Sequence, residues 1–177
     1  MNLRSIFAFL RIMKMPGLFP IMKDWQALIR IHFLFAAYES GLLKELAHPC
    51  GRQELIEKLH VKRPELLDAL LEVGLAAKEL GMKGHRFFVK GKRSKAVMNA
   101  RGDMLAALIQ ANITYYSDAY RLAPRRLKGG ELGDDLDSIG DLVARFSKIG
   151  EPVLNSFLSD IVAGKHPMRV LDVGCGS

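Results

Sequence analysis

The sequence predicts a mainly α protein built around a winged helix-turn-helix, three helices followed by a β-hairpin, with further helices before and after it. Apolar residues recur at helical spacing over most of the chain. Between Trp25 and Lys90 the helical patterns run long, short and medium, then give way to two short β-type runs around a Gly-rich turn. The other β-type run, Arg169–Val173, stands apart at the far end.

The first 19 residues, MNLRSIFAFLRIMKMPGLF, carry an apolar run that Arg11 and Lys14 interrupt too early for a signal peptide. No stretch reaches the roughly 20 apolar residues a membrane-spanning helix needs. What remains is a short basic amphipathic helix, suited to packing on the protein or a second subunit, with membrane-surface contact as its alternative use. Met15-Pro16-Gly17 and Pro20 are expected to end it.

A second helix is expected to start after Asp24 as N-cap and run to about Ser40. Ile29, Phe33, Ala36 and Ala37 recur at helical spacing, and Leu28, Ile31 and Phe35 widen the apolar stripe almost all round. Gly41 breaks this helix and Leu42–Leu46 add one turn. Gly51 opens a short helix with Leu55, Ile56 and Leu59 on one face. Pro64, at a first helical position, opens the next, where Leu66, Leu67, Leu70, Leu71 and Gly74 share a face and Gly74 is expected to end it. Leu75–Leu80 and Arg86–Gly91 read as strands joined by a turn over Gly81–His85. Then Asp103 can cap a helix lasting to near Pro124, Asp137 or Ser138 can start another, and Pro152 a third, closed by Gly164.

These elements divide the chain into an N-terminal amphipathic helix and linker (1–24), a winged-helix dimerisation domain (25–98), linking helices (99–166), and a terminal strand with a glycine loop (167–177). Charge follows a similar division. The whole chain carries a net +7, as +11 over residues 1–130 and −4 over residues 131–177. Two cysteines, Cys50 and Cys175, cannot build a disulfide framework, which points to a reducing, cytoplasmic setting.

A winged helix with a basic wing (Lys83, Arg86, Lys90, Lys92, Arg93, Lys95) raises the alternative of a DNA-binding transcriptional regulator. The helix that would enter the groove argues against it. Once its leucines turn inward, Glu65, Asp68 and Glu72 face outward, where groove readers present Arg, Lys, Asn or Gln. The five histidines show no metal-ligand spacing, so no metal site is expected. Tyr115, Tyr116, Tyr120 and Phe146 are candidates for lining a pocket, with an ordinary core role as the alternative. The apolar face of the first helix, together with the almost wholly apolar second, exceeds what a small winged helix can bury. That excess points to a homodimer through the N-terminal helices.

The terminal run places Val170, Leu171 and Val173 in a strand and follows it directly with Gly174-Cys175-Gly176. Glycines let a backbone turn approach a ligand closely, and ligands of open α/β sheets lie at the carboxyl ends of the strands. The string VLDVGCGS resembles the first motif of class I S-adenosylmethionine-dependent methyltransferases. The segment from Tyr38 to Gly91 is similar in layout to the N-terminal domain of the small-molecule O-methyltransferases. That resemblance implies S-adenosylmethionine as cofactor, with Asp172, Gly174, Cys175 and Gly176 beside it. It also implies a small-molecule acceptor covered by the linking helices and a dimer formed by the winged-helix domain. The family's catalytic domain is Rossmann-like, and of it only the first strand is expected here. By this reading the chain is a fragment, has no catalytic residue of its own, and binds the cofactor weakly or not at all. A non-catalytic scaffold derived from the same family is a third reading.

Overall fold

The computed structural model describes residues 15–131 and 139–163. Over these residues the protein is mainly helical, with one small antiparallel sheet.

The first described helix is α1 (Leu18–Glu39), which starts seven residues earlier than the Asp24 cap would have it. Gly17, at φ 80°, supplies the left-handed residue before the helix. Pro20 then sits in the first turn, where an N–H has no partner to reach, so its ring breaks nothing. Asp24 is simply a residue of the helix. Only the second half of α1 meets the core, through Phe33, Leu34 and Ala37; from Phe19 to Leu28 every residue is exposed. In the single chain the first half of this apolar helix is therefore exposed. Gly41, at φ 76°, ends α1 and starts the single turn α2 (Leu42–Glu45).

A two-residue strand, β1 (Cys50–Gly51), precedes α3 (Arg52–Lys58) and α4 (Pro64–Ala76), with Pro64 at the first helical position as expected. Both α3 and α4 end in the same way. The N–H of Val61 donates to Ile56 O and that of His60 to Glu57 O; Glu79 and Lys78 repeat the pattern onto Gly74 and Leu75. Each is a Schellman ending whose left-handed residue is not glycine but His60 (φ 49°) or Lys78 (φ 60°).

Gly74 therefore does not stop α4. It lies inside the helix, where a Cβ would fall 2.7 Å from both Leu80 Cδ1 and the Phe33 ring. Close packing of α4 against α1 and the first hairpin strand is what this glycine permits. The leucines of α4 divide as well: Leu67 and Leu71 are buried, while Leu66 is 61% exposed.

The hairpin is shorter than its sequence pattern suggests. Strand β2 (Leu80–Lys83) pairs with β3 (Arg86–Val89), Leu80 opposite Val89 and Lys83 opposite Arg86. Gly84 and His85, at φ 54° and 60°, form a two-residue turn with both φ values positive, the kind that matches strand twist. Residues 75–79, expected in a strand, instead complete α4 and its ending. On its other side β3 pairs with β1, giving the order β1-β3-β2.

A helix not anticipated, α5 (Lys92–Met98), leads to α6 (Gly102–Ala111). Asp103 is in the first turn of α6 rather than at its cap. Ala106, Ala107 and Ala111 are buried, and these small residues let α6 lie close to its neighbours α1 and α8 (Gly140–Ser147). Beyond α6 a π-helical segment, Asn112–Tyr116, passes into α7 (Ser117–Arg126). Pro124 falls inside α7, since losing one N–H near the end costs one bond and Leu127 N–H still reaches Ala123 O. The last described helix, α9 (Glu151–Val162), has Pro152 in its first turn. The caps expected at Asp137 or Ser138 and at Gly164 lie outside the described residues.

One core joins α1 through α6 with the sheet: Phe33, Leu34, Leu42, Leu43, Leu46, Leu55, Leu67, Leu71, Leu80 and Val97 are all buried in it. Each large aliphatic side chain so removed from water contributes about 1.5–3 kcal/mol before entropy is counted.

Candidate functional site

Asp172, Gly174, Cys175 and Gly176, with the strand that leads to them, lie outside the described residues. Among the described residues, polar side chains gather into a structural framework.

Its centre is Glu79, whose side chain is only 2% exposed. The backbone N–H of Ser94 donates to Glu79 Oε2 at 3.1 Å and the Ser94 hydroxyl at 2.9 Å. Ser94 is the third residue of α5, so a carboxylate from the end of α4 caps a helix fifteen residues on. Arg93 Nη1 donates to Oε1 at 3.3 Å and Arg30 Nε stands 3.8 Å from the same oxygen. The Glu79 carbonyl accepts from Lys90 and Gly91 N–H groups, at 3.0 and 2.8 Å. A side chain at Gly91 would strike this carboxylate, its Cβ 1.9 Å from Oε2. Thus α1, the hairpin and α5 converge on one buried charge. Leu75–Leu80 has the pattern of a strand, which hides this role of Glu79.

A second cluster fixes β1. Cys50 is buried, and its thiol donates to Glu54 Oε2 at 3.3 Å. Arg86 binds Glu54 through Nη1 at 2.8 Å and Pro49 O through Nη2 at 2.7 Å. Burial, then the bond to Glu54, pushes the Cys50 thiol up; the bonds from Cys50 and Arg86 hold the Glu54 carboxyl down. A protonated, buried thiol is not a nucleophile. Of the basic wing, Arg86 and Arg93 are thus committed to internal partners. On the acidic face of α4, Asp68 is held by Arg52 at 2.6 Å, while Glu65 and Glu72 remain exposed.

The linking helices carry the third cluster. Arg145 on α8 binds Asp103 on α6 through two nitrogens, Nε reaching Oδ2 at 3.0 Å. Asp103 is held below the usual carboxylate range and Arg145 is raised, each chiefly by that hydrogen bond. In the π-helical segment, Asn112 Nδ2, Thr114 Oγ1 and Ser117 Oγ donate to the carbonyls of Leu108, Gln110 and Asn112, at 2.8, 2.8 and 2.7 Å. Such side-chain bonds compete for the carbonyls of the helical ladder, a physical reason for its widening here. This segment carries Tyr115 and Tyr116, packed edge to face with ring centres 5.0 Å apart. Tyr120 does not join them; it is 78% exposed.

Open grooves mark the surface of the described residues. One, of about 520 Å³, is lined by Leu46, Pro49, Phe88, Val89, Lys95 and Met98. Another, of about 460 Å³, lies between α1 and α4, lined by Trp25, Leu28, Ile29, His32, Leu70 and Val73. Among the described residues no group of three or more His, Cys, Asp or Glu could hold a metal, and no helix is long and apolar enough to cross a membrane.

No protein-family model matches the chain, and no curated protein does. Among solved structures, the apo form of the S-adenosylmethionine-dependent methyltransferase SibL matches with a TM-score of 0.55 at 18% sequence identity. The match covers 78% of this chain and 46% of SibL, so the chain spans less than half of that enzyme. At this identity the likeness is one of fold, shared with part of SibL.

Proposed function

We propose that this chain is the N-terminal dimerisation and substrate-covering region of an S-adenosylmethionine-dependent methyltransferase that methylates a small molecule at oxygen. The observation that carries this reading is the SibL likeness over 78% of the chain, joined to the VLDVGCGS string at its end. The order helix, β1, α3, α4 and hairpin, with β1 added beside β3, supports reading residues 25–98 as a winged helix used for assembly. Exposed acids on α4 and the internal pairing of Arg86 and Arg93 favour a protein partner over nucleic acid. The edge-to-face pair Tyr115–Tyr116 is the candidate wall for the acceptor, and the setting is the reducing cytoplasm.

In this reading Asp172, Gly174, Cys175 and Gly176 form one edge of the cofactor site, the glycines letting the backbone approach the ligand. Methyl transfer needs donor and acceptor held in line, which one strand and its loop do not supply. This predicts negligible binding of S-adenosylmethionine by the chain alone. Titration calorimetry tests it with the chain and with a polypeptide continued along the same reading frame. Clear binding by the longer polypeptide, lost on Asp172→Ala, is the expected result. No binding by the longer polypeptide would favour a non-catalytic scaffold.

A further inference from the structure

The groove beside the hairpin lies where the turn before β1, the end of β3 and the last turn of α5 meet. Leu46, Pro49, Phe88, Val89 and Met98 make it apolar, and Lys95 and Asn99 bring polar groups to it. Phe88 is set before anything binds. It stands opposite Gly81 of the edge strand β2, and a Cβ on that glycine would fall 2.5 Å from Phe88 Cζ. A ring laid over a cross-strand glycine in this way is held by the sheet itself. The groove volume, about 520 Å³, falls within the roughly 300–1,000 Å³ of small-molecule sites.

Charge around the groove has one sign. From Leu80 to Gly102 the sequence holds no acidic residue. Lys92 and Lys95 share a face of α5, and Lys90 comes just before that helix. All three are exposed, and none has an acidic partner among the described residues. Acids of the neighbouring elements are engaged elsewhere, Glu45 with Lys58, Glu54 with Arg86 and Glu79 with Arg93.

We propose that this groove binds a small aromatic carboxylate, its ring against Phe88 and Met98 and its carboxylate received by Lys95 and Asn99. Aromatic rings favour offset contact with another ring and with thioether sulfur. An ammonium gives a carboxylate charge-assisted hydrogen bonds, and Lys90 and Lys92 add attraction at longer range. Every residue involved lies between Leu46 and Asn99, so binding here needs nothing of the proposed methyl transfer.

Titration of the isotope-labelled intact chain with naphthoate, followed through backbone amide shifts, tests this, with naphthylmethanol as the uncharged counterpart. Saturable shifts centred on Ala47, Phe88, Val89 and Met98 are expected, with naphthylmethanol binding about fivefold or more weaker. Lys95→Gln should bring the two ligands within about twofold of each other. Lys83→Gln, the same charge change at the hairpin tip, should leave the difference intact. Ala47→Phe, at an exposed position in the groove, should abolish binding of both, and its own amide spectrum shows whether it folds. No saturable shift at millimolar naphthoate, equal binding of the two ligands by the parent chain, or shifts centred on the groove between α1 and α4 would each overturn the proposal. Equal effects of Lys83→Gln and Lys95→Gln would overturn it as well.

Discussion

Glu79 and Ser94 are joined twice, through the serine backbone N–H and through its hydroxyl, inside a core that excludes water. A carboxylate placed there orients the start of α5, and with it the path to the linking helices. Leaving a buried donor without its acceptor costs about 1–3 kcal/mol, and removing Glu79 orphans two on Ser94. Glu79→Ala should therefore shift the urea midpoint strongly, and Ser94→Ala by an amount near 1 kcal/mol. A Glu79→Ala variant as stable as the parent would show that the cap does not organise the fold.

Gly74 and Gly91 are packing glycines. A Cβ at Gly74 meets Phe33 and Leu80, and one at Gly91 meets Glu79. Gly74→Ala should cost about 1–3 kcal/mol by overpacking, despite the better helix propensity of alanine. Chemical denaturation of that variant decides which effect wins.

Lys78 holds a left-handed backbone at φ 60° where helix endings favour glycine. Lys78→Gly should leave the protein as stable or more so, by up to about 1 kcal/mol. Thermal unfolding should separate it clearly from Gly74→Ala, which changes a glycine four residues away in the opposite sense.

The Arg145 guanidinium beside Asp103 holds its carboxyl below the usual range. A carboxyl whose folded pKa is depressed adds stability above the unfolded value, near about 4, and loses it as pH falls through the folded one. Wild type should therefore lose thermal stability below about pH 4 more steeply than Asp103→Asn. Equal slopes in the two proteins would show that the pair contributes nothing. Glu54 and Asp68, also depressed, act in the same direction and are untouched by that variant.

Cys50, buried and with its thiol pushed up, should resist alkylation in the native state and react on unfolding. A Cys175→Ser variant leaves it the sole thiol, so labelling followed by mass measurement is unambiguous. Rapid native labelling would contradict its placement.

Local signals read well where one residue had one job. Pro64 starts α4, Gly51 precedes α3, and Gly41 stops α1, each through backbone geometry that neighbours do not alter. They misled where tertiary contact reassigned the residue. Pro20 was read as a breaker because a first turn could not be told from an interior, and Gly74 as a stop because its packing partners Phe33 and Leu80 are remote in sequence. Strand β1, two residues long, has no periodicity to detect and exists through β3. The Glu79 cap and the Asp103–Arg145 clamp join residues 15 and 42 positions apart, beyond any local pattern.

Under the proposed function, this chain holds two copies together. Sedimentation equilibrium of the intact chain at micromolar concentration tests that most directly. That function predicts a species of twice the 19.7 kDa chain mass, dissociating on dilution; a single 19.7 kDa species throughout would contradict it.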